Sequence, residues 1–175
     1  MNLTEIMQNR RSIRKFTAEP VSKEDIRKIL EAAMLTPNGK GLRPWSFVVI
    51  DDEAMLRDLV HCRKGGAKML ETATAAVAVY SDSDKTDTFT EDSALALGYM
   101  QLMASDLGLG SCWLQLRLRP SDEEGVTAEE YVNSRIGSPA NQKVEALLVM
   151  GHTEEHPAAN PLPDTEGANV HHNRW

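Results

Sequence analysis

Two periods organise the chain. Over residues 26–34 the apolar side chains Ile26, Ile29, Leu30, Ala33 and Met34 recur at i, i+3, i+4, i+7 and i+8, the stripe of a helix with one buried face. Ser22 stands before that stripe as an N-cap, Asp25 sits at the third helical position, and Val21 and Ile26 are spaced as a hydrophobic staple. Thr36-Pro37 ends the helix, because the residue before a proline is pushed out of the helical region. A first helix is predicted after Asn2, with Glu5 as its capping-box partner, ending near the basic run 9–16. Residues 53–62 predict a short helix with Leu56, Leu59 and Val60 inward, and one helical turn is expected around Lys68-Met69-Leu70. Thr127-Ala128-Glu129-Glu130 is a capping box opening a helix that ends at Ile136-Gly137.

Residues 91–107 are apolar around most of the helical circumference, so the helix predicted there is a buried one, with Gly108 as its C-cap. Four short apolar runs read as strands: 45–50, 75–80, 112–116 and 144–150. The irregular connections between them favour an α+β architecture over a doubly wound sheet. The stretch 152–175 shows no period and carries Pro157, Pro161 and Pro163, so it is expected to form an extended arm. An aromatic left in water forgoes the gain of burial. The arm is therefore expected to dock Trp175, with a second subunit as one surface for it.

Length and charge narrow the function. The chain has 175 residues, 19 Lys+Arg and 26 Asp+Glu, for a net charge of −7. That length suits one domain spanning 1–175. The acidic balance argues against nucleic acid as a partner, and 5% aromatic residues are few for a base-stacking platform. No apolar run approaches a membrane span, and the first residues carry no apolar signal core. Two cysteines, Cys62 and Cys112, make no disulfide framework. The expectation is a reduced, cytoplasmic protein.

Three segments carry candidate chemistry. Arg10, Arg11, Arg14 and Lys15 place four cations within six residues, with Ser12 among them. Arginine forks and a hydroxyl match phosphate oxygens; equally, cations at a helix C-terminus meet the dipole and stay solvated. The loop 37–45, with Gly39 and Gly41, could bring backbone N–H groups close to a flat or anionic ligand, or could simply connect. It lacks the ending of a triphosphate P-loop. Residues 108–113 could likewise be only a helix C-cap running into a strand. The five histidines have no metal-ligand spacing, so no metal is expected, and no catalytic triad emerges.

Taken in order, RRSIRKF, TPNGKGLRPWSFVVI, AKMLETATAAVAVY, EDSALALGYMQLMASDLGLGSCWLQ and VHHNRW resemble the nitroreductase family of FMN-dependent oxidoreductases, its short GLGSCW-bearing members above all. The resemblance covers residues 2–175. It implies a nitroreductase-like sheet surrounded by helices and a homodimer with FMN at the interface. It implies NADH or NADPH as reductant and a ping-pong cycle that ends on a small electron-poor acceptor. By position, Arg10, Arg11 and Ser12 match the segment holding the FMN phosphate and ribityl chain. Arg14 matches the basic residue near the N1/O2 edge, and Lys68 a lysine of the ring or ribityl contacts. Pro37, Asn38 and Gly39 match the loop that the second subunit lays against the flavin. Trp113, Leu114 and Gln115 match the strand whose backbone faces the ring near N5. Arg174 is a further phosphate candidate. The hydride chemistry is the flavin's, so no catalytic side chain is required.

Asn38, Gly41 and Arg43 depart from the serine, asparagine and glutamine of many relatives, which bears on side-chain contacts to the ring edge. The alternative reading is a flavin-binding protein that stores FMN without efficient turnover.

Overall fold

In a computed structural model, which describes residues 2–164 and 169–175, four strands form one antiparallel sheet: β1 (Trp45–Ile50), β2 (Ala75–Asp82), β3 (Gly110–Gln115) and β4 (Gln142–Gly151). Their order is β1-β2-β4-β3, so β1 and β3 are the two edges. Successive side chains of a strand point to opposite faces. Val77, Val79, Ala146 and Leu148 thus enter one core, while Ala76, Ala78, Leu147 and Val149 enter the other. Both central strands are covered on both sides, which is why they are mostly apolar.

Five helices cover the faces: α1 (Leu3–Asn9), α2 (Lys23–Met34), α3 (Glu53–Asp58), α4 (Phe89–Asp106) and α5 (Ala128–Ile136). Ile26, Ile29 and Ala33 of α2 pack with Ala96, Leu97, Met100 and Ala104 of α4 on the first face. Leu56 of α3, Leu70 of a 3-10 turn, and Tyr131 and Val132 of α5 fill the second. The helix starts are set locally. Ser22 Oγ accepts the Asp25 N–H at 3.0 Å, and both capping boxes, Asn2 with Glu5 and Thr127 with Glu130, are formed. Gly137 closes α5 in the left-handed region with φ 75°.

The strands run longer than their apolar cores. β3 begins at Gly110 because Gly110 pairs with Gly151, and β2 continues to Asp82 against Gln142. The central helix, α4, packs on the sheet, on α2 and on α1. On its outer side Leu95 and Tyr99 are 44% and 41% exposed. Tyr99, Leu102 and Met103 line an open apolar groove of about 350 Å³ together with Leu3, Met7 and Leu35.

The arm begins by running back along the N-terminal segment. The Thr17 N–H donates to the His152 carbonyl at 2.8 Å, the Thr153 hydroxyl to the Lys15 carbonyl at 3.0 Å, and the Asn160 N–H to the Gln8 carbonyl at 2.8 Å. Farther on, Trp175 is fully exposed and stacks on His171 with ring centroids 4.6 Å apart. Its expected burial is therefore not achieved within one chain; residues 165–168 of the arm lie outside the described residues.

Candidate functional site

The basic run is not simply a helix end. Arg10 caps α1, its N–H donating to the Ile6 carbonyl at 2.9 Å, but the residues after it are extended. Ser12 bridges Ser111 of β3 in parallel, with the Ile13 N–H donating to the Ser111 carbonyl at 3.0 Å. Ile13 and Phe16 are buried, while Ser12 before them and Arg14 and Lys15 between them are exposed. A helix dipole acts only over the last turn, so it does not account for Arg14 and Lys15. The close approach of this segment demands two glycines. A Cβ at Gly110 would lie 2.9 Å from Ile13 Cγ2, and one at Gly151 would lie 2.9 Å from Phe16 Cβ.

The cations of the run face two hollows. Arg14 lines a cleft of about 500 Å³ with Lys15, Lys68, Met69 and the Gly65-Gly66 turn. Arg10 and Arg11 line a smaller hollow of about 260 Å³ with Gly108, Ser111 and His156. Arg11 also donates to the Ala158 carbonyl of the arm, which occupies one of its N–H groups. Cys112 follows Ser111 in β3 and is buried. Burial pushes its thiol pKa up, while the guanidinium of Arg14, the Ser12 hydroxyl and the guanidinium groups of Arg10 and Arg63 pull it down. Three arginines thus act on one buried atom at the start of β3, in a protein of net charge −7. Arg63 carried no signal in the sequence; it folds over Gly66, where a Cβ would lie 2.8 Å from its Nε. The other cysteine, Cys62, is inert for a plainer reason, burial having pushed its thiol up to about 12.

Along β3 the predicted residues part company. Leu114 is fully buried in the core, so only its main chain could face a ligand. Trp113 packs toward the opposite core, and its Nε1–H donates to Gln115 Oε1 at 2.7 Å. Gln115 Nε2 donates in turn to Glu145 Oε1 at 2.9 Å, and Glu145 Oε2 lies 2.9 Å from Arg117 Nε. Glu145 is only 5% exposed and occupies a β-bulge, since Val79 pairs with Ala146 and Tyr80 with Val144. A buried carboxylate is tolerable only with such partners. The sequence reading missed Glu145 and Arg117, because a single glutamate within an apolar strand does not announce its partners.

Pro37, Asn38 and Gly39 lie at the other edge of the sheet, in the loop that enters β1. Asn38 Oδ1 accepts the Arg43 N–H at 2.8 Å, and the Gly39 N–H donates to Asp92 Oδ1 at 2.8 Å. β1 and β3 are separated by β2 and β4, roughly 14 Å at about 4.8 Å per strand. One chain therefore brings Arg14 and Lys68 together, and Ser12 beside β3, but leaves the 37–39 loop apart from them. Arg174 lines neither hollow and lies exposed near Trp175.

Among the described residues, no group of three His, Cys, Asp or Glu could hold a metal ion, and no helix is long and apolar enough to cross a membrane. A sheet clothed on both faces thus carries the cations Arg10, Arg11, Arg14 and Lys15 on a segment that runs beside one of its edges, β3. The chain belongs to the nitroreductase family, whose model matches residues 7–65 and 54–152. It is 31% identical to an Archaeoglobus fulgidus protein named as an NADH dehydrogenase/NAD(P)H nitroreductase, over 97% of each chain. Its fold is similar to that of an FMN-dependent nitroreductase from Clostridium difficile R20291, with TM-score 0.91, 38% identity, and coverage of 98% of this chain and 99% of that one. The NADPH:FMN oxidoreductase from Vibrio harveyi shares the fold at TM-score 0.80 and 24% identity, over 100% of this chain and 78% of that one.

Proposed function

We propose that this protein is a cytoplasmic, homodimeric, FMN-dependent oxidoreductase. It takes a hydride from NADH or NADPH and passes it, in a ping-pong cycle, to a small electron-poor acceptor such as a nitroarene, quinone or enone. One observation carries the reading: the two halves expected to meet a flavin sit on opposite edges of one sheet, so a second copy is needed to complete the site. The exposed apolar side of α4 supports the same assembly, because large apolar surfaces mark interfaces.

The residues present fit FMN. Arg10, Arg11 and Ser12 offer guanidinium and hydroxyl donors suited to a phosphate dianion, and Arg10 and Arg11 line one hollow beside Ser111. Arg14 and Lys68 share the larger cleft, where they place positive charge that favours the more negative, two-electron-reduced state of a bound flavin. When bound, FMN supplies the chemistry itself: its N5 accepts a hydride and gives it up again. The main chain of residues 113–115, paired with β4 through Leu148, Leu147 and Ala146, would offer that ring a wall. Storage of FMN without turnover is the second reading. What favours it is Asn38, whose side-chain oxygen closes its own loop on Arg43.

Anaerobic stopped-flow mixing of the FMN-loaded protein with NADH or NADPH tests the proposal. Bleaching of the flavin absorbance, then its return when a quinone or nitroarene is added, is the expected result. A protein that binds FMN but is not reduced is a store, and a colourless protein that takes up no FMN overturns both readings.

A further inference from the structure

The 37–43 loop is held in a shape that its residues do not favour. Lys40 and Arg43 have φ of 55° and 47°, in the left-handed region that L side chains avoid, while Gly41 takes its φ of 69° without strain. Such backbone persists where its surroundings over-determine it. The Lys40–Asp87 ion pair is mostly exposed and adds little. The Asn38–Arg43 bond ties the loop only to itself. The buried anchor is Asp92, 2% exposed in the first turn of α4. Its Oδ1 accepts the Gly39 N–H at 2.8 Å, its Oδ2 accepts the Thr88 hydroxyl at 3.1 Å, and its main-chain carbonyl accepts the Trp45 indole N–H at 3.0 Å. The Thr88 hydroxyl is shared with Thr86 at 2.8 Å. A carboxylate suits the start of an 18-residue helix, where the dipole favours negative charge. Gly39 fits because a Cβ there would collide with the Thr88 hydroxyl.

We propose that Asp92 is a positioning residue of the flavin site, its carboxylate fixing the 37–39 loop in the form that a neighbouring copy's flavin meets. The inference rests on the function proposed above. Asp92 does not touch the flavin; it sets where Pro37, Asn38 and Gly39 stand. Two oxygens serving two donors make an amide a near-equivalent. In Asp92→Asn one oxygen still accepts from Gly39, and the new N–H₂ can donate to the Thr88 oxygen. In Asp92→Ala the Gly39 N–H loses its acceptor and the loop is released.

The test is equilibrium titration of FMN into flavin-stripped full-length protein, with spectroelectrochemical measurement of the bound flavin's midpoint potential. Asp92→Ala is expected to raise the FMN Kd by about tenfold or more and to shift the potential, as loss of a buried hydrogen bond implies. Asp92→Asn is expected to restore both, a rescue that a general loss of packing would not give. Should Asp92→Ala fail to fold, Gly39→Ala displaces the same loop from outside the core, and Gly39→Ala/Thr88→Ala removes the collision and recovers affinity. Wild-type Kd and potential in Asp92→Ala, or in Gly39→Ala, overturn the positioning role while leaving the oxidoreductase reading intact. A wild-type protein that binds no FMN overturns both.

Discussion

Ser12 and Ser111, 99 positions apart in the chain, lie side by side in a parallel bridge that carries the Arg10–Arg14 segment onto the edge of β3. The burial of Ile13 and Phe16 holds the segment there, with Ser12, Arg14 and Lys15 left exposed at its surface. Arg10→Ala keeps the main-chain cap of α1, and Ser12→Ala keeps the bridge. Each substitution is expected to leave the fold unchanged and to raise the FMN Kd about tenfold to a hundredfold, the size of a lost hydrogen bond to a charged group. Titration of FMN into the stripped variants measures it. Unchanged affinity in both would return the basic run to a solvated surface.

Arg14 and Lys68 are both exposed in the same cleft, so replacing either by Met deletes a charge with little cost to packing. A reduced flavin carries more negative charge than an oxidised one. Removing a neighbouring cation destabilises the reduced form, and the midpoint potential falls. Spectroelectrochemical titration of Arg14→Met and Lys68→Met is expected to show that direction in each; a potential unmoved in both variants removes them from the flavin's surroundings.

Gly110 gives a prediction for stability. A methyl group there meets Ile13 Cγ2 at 2.9 Å and Thr153 Cγ2 at 3.0 Å, and the Ile13 side chain is buried with little room to retreat. Gly110→Ala is expected to cost about 1–3 kcal/mol, the range of an overpacked core, and to loosen the Ser12 bridge. Chemical denaturation reads the first effect, and a raised FMN Kd reads the second. A variant as stable as the parent would mean that the N-terminal segment shifts freely against β3.

What was legible in the sequence is what short-range chemistry decides. Ser22 and Thr127 cap helices through bonds to residues three positions on, so α2 and α5 begin where their polar residues said they would. The central strands were legible because burial on both faces makes most of their residues apolar. The carboxylates that organise the site were not. Asp92 serves Gly39 from 53 positions away and Glu145 serves Gln115 from 30, separations that no local pattern records. The outer flank of α4 was misleading for another reason. An apolar pattern records that a surface leaves water, without saying whether its own chain or a second one covers it, and Leu95 and Tyr99 remain exposed here.

The arm provides the remaining prediction. Its first half is fastened to its own chain through His152, Thr153, Ala158 and Asn160, so those residues belong to the monomer. Beyond them the character changes: Leu162, Val170 and Trp175 are all large, apolar and exposed, and Trp175 is fully so. Such residues gain by burial against a partner. A second copy offers both the flank of α4 and, beside Arg10 and Arg11, a hollow to which Arg174 could bring a further cation. Deleting residues 164–175 leaves the fastened half in place, so the monomer fold is expected to survive. Dimer stability and FMN occupancy are expected to fall together, because in the proposed assembly ligand binding and dimerisation stabilise each other. Light scattering with flavin quantification on the truncated protein decides the matter. A truncated protein that stays dimeric with full FMN occupancy would exclude Arg174 from the phosphate site and Trp175 from the interface.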